Sequence, residues 1–255
     1  MALDGRLKRN IATVYRALRP ASARLTVLYY HAVAAADVAN FSAQMAYLAR
    51  HSFVVPVDYS GPLPADRPSV AISFDDAFDT VIDNAVPVLD QYALPYAIFV
   101  PSGWLGQTPG WAMETETDRV QRVATADRLA RLLSDRVIIG SHTIDHPRLS
   151  QIPANARQHQ LAGSRSALAD LFGAAPDLLA FPYGDHDDGV LSAARAAGYR
   201  YVYTVMPSPV RAHDDRFVRG RTAADPADPM PLFIDKAHGA FDWVPLASRL
   251  KRALR

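Results

Sequence analysis

The chain has 255 residues, long for one domain but within the range that a single α/β barrel reaches. Hydrophobic residues make up 49%, enough for a large core, and a net charge of +1 offers no basic excess for nucleic acid. There is no cysteine, which excludes disulfides, thiolate nucleophiles and cysteine-ligated zinc.

The N-terminal stretch Met1 to Pro20 intersperses Arg6, Lys8, Arg9, Arg16 and Arg19 with apolar residues, without the apolar block of a secretory signal. Arg249, Lys251, Arg252 and Arg255 make the other end basic as well. The expected organisation is therefore a basic helical segment over 1–22, one domain over 23–243 and a basic tail over 244–255. No run approaches the roughly 18 consecutive apolar residues of a membrane-spanning helix. The expected location is the cytoplasm. The basic ends read as solvated faces, with peripheral contact at the inner membrane surface as the alternative.

Between these ends, apolar β-rich runs recur at Leu25–Tyr30, Val70–Phe74, Tyr96–Val100, Val137–Ile139, Leu178–Phe181 and Tyr201–Val205. Most are continuous rather than alternating, as expected of strands buried on both faces of a parallel sheet. Helical stretches fall between them. Phe41–His51 is apolar at 41, 45 and 48; Ala154–Phe172 stops at Gly173, and Gly189–Ala197 stops at Gly198, where left-handed caps belong. Strand and helix alternate, so the class is a β/α barrel or a doubly wound sheet. Trp104–Asp127 interrupts the pattern as a long polar excursion, read as a loop over one end of the barrel.

Three motifs sit just after strands, where such barrels carry their chemistry. Ser73-Phe74-Asp75-Asp76 supplies adjacent carboxylates, His142 and His146 supply imidazoles four residues apart, and Phe181-Pro182-Tyr183-Gly184 supplies a rigid turn. A mononuclear hydrolytic metal site needs a few N/O ligands, an open position and a spare carboxylate as base. Adjacent residues on a regular strand face opposite ways, so Asp75 and Asp76 share one site only if the strand breaks there. Alone, one of them would read as the cap of a helix starting near Thr80. Pro147 pushes His146 towards an extended conformation and argues for a loop. The histidine pair with the aspartates favours a metal, and two imidazoles with a carboxylate suit zinc, cobalt, nickel or manganese. His31 closes the first strand. Trp111 reads as a loop anchor or as a stacking platform. His51, His159, His186, His213 and His238 lack partners in the sequence and read as surface or structural.

In this order the motifs resemble those of the polysaccharide deacetylase family, the NodB homology domain of carbohydrate esterase family four. The resemblance runs from about Leu25 to Trp243. It includes Leu28-Tyr29-Tyr30-His31, Ser73–Asp76 with Pro87, Pro95–Pro101, Gly140–Leu149, Ala180–Gly184, Ala197-Gly198-Tyr199, Arg219 and Gly239–Trp243. It implies a single-domain, distorted (β/α)7 barrel and a metal-dependent hydrolase that removes N-acetyl groups from an amino-sugar-containing glycan or its precursor. Asp75 matches the base; Asp76, His142 and His146 match the ligands of one divalent ion, zinc foremost. Tyr183 matches the residue whose N–H holds the oxyanion, and Pro182, Arg219 and Trp111 complete the expected substrate-binding set.

Departures from the pattern set further expectations. Many members carry at the Ala180 position an arginine that orients the base, so Arg219 or Arg221 is expected to do this here. No late Leu-x-His motif supplies an acid, and His31 is expected in that role, as in the sub-branch with a first-strand Tyr-His. Ala77 replaces a glycine after the aspartates and is expected to narrow the pocket. The rival readings are hydrolysis of a non-sugar linear or cyclic amide and an inactive carbohydrate-binding relative.

Overall fold

The structure is a computed structural model that describes Tyr15 and residues 23–113 and 119–245. The basic segments expected over 1–22 and 244–255 lie, apart from Tyr15, Val244 and Pro245, outside the described residues. The described strands are β1 (Arg24–Tyr30), β2 (Phe53–Val54), β3 (Ser69–Phe74), β4 (Tyr96–Val100), β5 (Val137–Ser141), β6 (Leu178–Ala180), β7 (Tyr201–Tyr203), β8 (Val210–Arg211), β9 (Val218–Arg219) and β10 (Thr222–Ala223). They form one sheet in the order β10-β1-β3-β4-β5-β6-β7-β9.

The two outer strands of that list belong to one short run of chain. β9 pairs in parallel with β7, Tyr203 opposite Arg219, and β10 pairs in parallel with β1, Leu28 opposite Thr222. Only Gly220 and Arg221 separate them, so residues 218–223 border both open edges and close the ring as its seventh stave. The result is the distorted seven-stranded barrel the motifs implied. β2 pairs with the first two residues of β3, before β4 takes over that edge at Ile72. β8 is the antiparallel exception, set against the start of β1.

Alternation along each strand builds two cores. Leu25, Val27, Ala71, Ala97, Phe99, Ala180, Tyr201 and Tyr203 point inward and fill the barrel. Leu28, Tyr30, Val70, Ile72, Phe74, Tyr96, Ile98 and Val100 point outward beneath the helices. Both faces are dry, which is why the strands read as continuous apolar runs. Full burial of each such Leu or Phe contributes about 1.5–3 kcal/mol.

The helix expected over Phe41–His51 spans Val38–His51 and buries Phe41, Met45 and Leu48 on one face. The stretch expected as one helix over 154–172 is helical throughout but uneven: Ala154–Gln158, a wider π turn at His159–Gly163, then Ser164–Phe172. Gly173 (φ 80°) and Gly198 (φ 89°) adopt the left-handed conformation expected at their positions. The excursion from Trp104 returns along the turn after β3, with Ala124 N–H donating to Ala77 O at 2.9 Å and Asp79 N–H to Arg122 O at 2.8 Å. Its last residues already belong to the helix Ala126–Ala130, capped by Thr125. No described helix is long and apolar enough to cross a membrane.

Candidate metal and hydrolytic centre

Alternation on β3 turns Ala71, Ser73 and then Asp75 towards the barrel axis. The Asp75 N–H donates to Tyr30 O at 2.9 Å, extending the β1–β3 ladder one residue past the strand. The chain then reverses through two left-handed residues, Asp76 (φ 66°) and Ala77 (φ 52°). Such conformations cost a non-glycine residue about 1–3 kcal/mol and persist only where their surroundings hold them. Here the reversal swings Asp76 into the cleft that Asp75 also faces, so neither serves as a helix cap. Ala77 does not narrow the cleft as expected: its methyl is buried in the outer core and is absent from the cleft lining.

The histidines arrive from β5. The His142 N–H continues the ladder to Val100 O at 2.9 Å. Thr143 (φ 69°) and His146 (φ 59°) then curl the loop. The Thr143 N–H donates to Ser141 Oγ at 3.2 Å and the His146 N–H to Thr143 Oγ1 at 3.1 Å. His146 is therefore left-handed, not extended, because the threonine hydroxyl draws in its amide; the loop expected from Pro147 is present.

Asp76, His142 and His146 meet. The two Nε2 atoms lie 3.2 Å apart, and Asp76 Oδ1 lies 3.6 Å from His142 Nε2 and 3.4 Å from His146 Nε2. All three side chains are buried. A carbonyl can only accept, so the 2.8 Å bond between His142 Nδ1 and Ala180 O puts the proton on Nδ1 and leaves the Nε2 lone pair facing its neighbours. Burial lowers His142 to about 4 and His146 to about 2, so both rings are neutral near pH 7. Uncharged imidazole nitrogens and a carboxylate oxygen, crowded within 4.8 Å of one another, form a donor set that fits one divalent cation.

Asp75 is held differently. Arg221 donates Nη1 to Oδ1 at 2.6 Å and Nη2 to Oδ2 at 2.7 Å, both side chains being buried. Burial alone would raise the carboxyl, but the Arg221 charge and its hydrogen bonds outweigh that and hold it at about 2. The guanidinium is itself packed over Tyr29, 4.6 Å from the ring centre. Arg221, not Arg219, is thus the tether. Arg219 donates to Val57 O, Tyr59 O and Asp214 O and lies 3.5 Å above the Tyr201 ring, so it braces the barrel and does not line the cleft. Pro182 is likewise buried outside the cleft, where its fixed φ starts the turn.

Tyr183 (φ 58°) is a further left-handed residue at the rim. Among the described residues no backbone carbonyl accepts its N–H. Its hydroxyl donates to Ala112 O at 3.0 Å and its ring meets His146 edge-on at 4.7 Å. Trp111 stacks on His146 at 4.5 Å, with Trp104 against its edge at 5.5 Å. His31 also lines the cleft, beside Tyr29. The cleft has a volume of about 140 Å³.

Tyr29, Ala112, Met113 and Val205 also line it; Tyr29 belongs to the first-strand motif, and sequence reasoning missed the other three. Val205 could have been found by counting in twos from Tyr203; nothing in the sequence marks Met113. The other histidines stay away from the cleft, His238 for instance bonding Tyr47 Oη at 3.0 Å.

The model of the family described as polysaccharide deacetylase matches residues 63–202. YxkH of Bacillus subtilis, itself a candidate polysaccharide deacetylase, is 25% identical over 215 residues, 80% of this chain and 72% of that protein. Among solved structures, IcaB from Ammonifex degensii aligns with a TM-score of 0.69 at 22% identity, over 86% of this chain and 97% of that one. The Streptococcus pyogenes deacetylase PplD, solved in complex with acetate, aligns with a TM-score of 0.66 at 18% identity, over 84% and 98%.

Proposed function

The chain belongs to the polysaccharide deacetylase family and is a hydrolase of that family; from this we propose that it is a metal-dependent N-deacetylase acting on an acetylated amino sugar within a glycan or glycan precursor. The observation that carries the reading is the convergence of Asp75 with Asp76, His142 and His146 on one narrow cleft. A volume of about 140 Å³ suits an acetamido group with part of its ring, which leaves the rest of a sugar chain at the rim.

Asp76, His142 and His146 would hold one divalent cation, zinc by the donor set with cobalt, nickel or manganese also fitting, whose chemistry is to polarise a carbonyl and acidify water. Asp75 takes the proton of the attacking water; Arg221 keeps it ionised and aimed, while each carboxylate oxygen retains a further acceptor site. The Tyr183 N–H, unclaimed by any backbone carbonyl among the described residues, donates to the oxygen that gains charge as the tetrahedral intermediate forms. One such donor contributes roughly 3 kcal/mol. His31, which lines the same cleft, delivers a proton to the departing nitrogen, because an amine anion is a poor leaving group.

Acetate release from N-acetylated sugars, nucleotide sugars and short oligosaccharides tests the reading, with metal-loaded wild type compared to Asp75→Asn. Release that needs both the metal and Asp75 is the expected result. A wild type that binds one metal ion yet releases no acetate would direct attention to non-sugar amides; one that binds no metal would end the hydrolytic-centre reading.

A further inference from the structure

The loop carrying the two histidines is gripped from behind by a side chain that never reaches the cleft. Gln160 lies in the π turn His159–Gly163 and is buried. Its Oε1 accepts two consecutive amides, Ile144 N–H at 3.0 Å and Asp145 N–H at 2.9 Å. Its Nε2 donates to Asp145 Oδ2 at 2.6 Å. Two successive amides aimed at one point form a small concavity that demands an acceptor, and here the protein supplies it.

The neighbouring backbone is shaped to the same loop. A Cβ on Gly163, within the π turn, would lie 2.8 Å from Ile144 Cδ1, and one on Gly103 would lie 2.8 Å from Ile144 Cγ2. Gly103 N–H also donates to Ile144 O at 3.0 Å. Ile144 is therefore seated between two close backbones while Gln160 pins its amide. The extra residue of a π turn changes which side chains face a neighbouring loop, by about 100° of rotation relative to a regular helix.

We propose that Gln160 is a positioning residue for the metal ligands. By fixing the Ile144 and Asp145 peptides it sets the separation of His142 and His146, which flank them. The assignment rests on the metal-site reading above. Thr143 and His146, left-handed on either side, each need outside support to stay so. The Ser141 and Thr143 hydroxyls hold their amides, and Gln160 holds the two loop amides between them.

The test uses full-length, metal-stripped protein, with zinc affinity read by competition against a chromophoric chelator and thermal stability read without metal. Gln160→Met fills similar space without an acceptor; Gln160→Glu combined with Asp145→Asn keeps an acceptor for both amides and restores a donor–acceptor pair between the two side chains. Zinc should bind Gln160→Met about 10–100-fold more weakly than wild type, the range typical of lost outer partners of metal ligands. The Gln160→Glu, Asp145→Asn double variant should recover most of that loss. Wild-type affinity in Gln160→Met, with only the midpoint of metal-free unfolding lowered, would make Gln160 a packing residue and overturn the assignment. A wild type that binds no zinc overturns the metal reading and this assignment with it.

Discussion

Arg221 and Asp75 meet inside the barrel through two parallel hydrogen bonds of 2.6 and 2.7 Å, the arginine fully buried and the carboxylate nearly so. The arginine comes from the short run that closes the barrel, so closure and alignment of the base are one structural event. Removing one partner of such a pair strands the other charge, and Arg221→Ala should cost about 3–5 kcal/mol in urea unfolding. Ala180 also points into the barrel, at the position where the family resemblance places an arginine. Ala180→Arg combined with Arg221→Ala should therefore regain part of both stability and acetate release. A double variant no better than the single one would show that the barrel accepts the tether from one strand only.

The same pair fixes a sign of pH dependence. Asp75 sits at about 2 when folded, below the ordinary 3.8, so its contribution is fully present above about pH 4 and is lost as pH falls through 2. The net pH-linked contribution of Asp75 is about 2–3 kcal/mol, from roughly 1.4 kcal/mol per pH unit. Without Arg221, burial is left to raise the carboxyl. The sign inverts: the Arg221→Ala protein should gain stability relative to wild type on acidification from pH 7 towards 5. Urea midpoints across that range check it, and parallel curves would refute it.

His31 carries a prediction about leaving groups. An amide needs its nitrogen protonated as it departs, whereas an ester does so far less. His31→Gln should lower N-deacetylation by about 10²–10⁴-fold, the usual weight of a general acid, and O-deacetylation of a matched ester by much less. Paired kcat/KM values on an N-acetyl sugar and an acetyl ester measure the difference. Equal losses on both substrates would remove His31 from the acid role.

Metal removal should act on stability as well as on activity. The cation would bind only the folded arrangement of Asp76, His142 and His146, so zinc at 1,000 times its Kd should stabilise by about 4 kcal/mol. Stripping with a chelator should lower Tm and abolish acetate release, and zinc should restore both. In Asp76→Ala the added zinc should leave Tm unmoved.

Much of this centre was legible in the sequence because its parts obey local rules. The strands carrying Asp75, His142 and Tyr183 are apolar on both faces, and the Asp75-Asp76 pair could act together only across a break, which the structure provides at φ 66° and 52°. The closing strand was hidden for a physical reason. Its halves β9 and β10 are two residues each, and the inward positions 219 and 221 carry arginines instead of apolar side chains. No hydrophobic run advertises it, so the choice between Arg219 and Arg221 stayed open. Gln160 was equally hidden, since its approach to the histidine loop depends on a π turn that side-chain periodicity does not reveal.

Trp111 separates the two expectations held for it. One face of its indole is stacked on His146 at 4.5 Å with the planes 21° apart, and its edge meets Trp104. That face of the ring is thus engaged with a candidate metal ligand, while the indole also lines the cleft. An aromatic pair of this kind contributes roughly 0.5–1.5 kcal/mol, so Trp111→Ala should weaken zinc binding about three- to tenfold. With zinc saturating, KM should stay within about twofold of wild type, because the loss falls on the ligand ring and not on substrate contacts. Trp111→Phe, which can still stack, should bind zinc nearly as wild type does. A large KM increase in Trp111→Ala at unchanged zinc affinity would reverse the conclusion and make the indole a substrate surface.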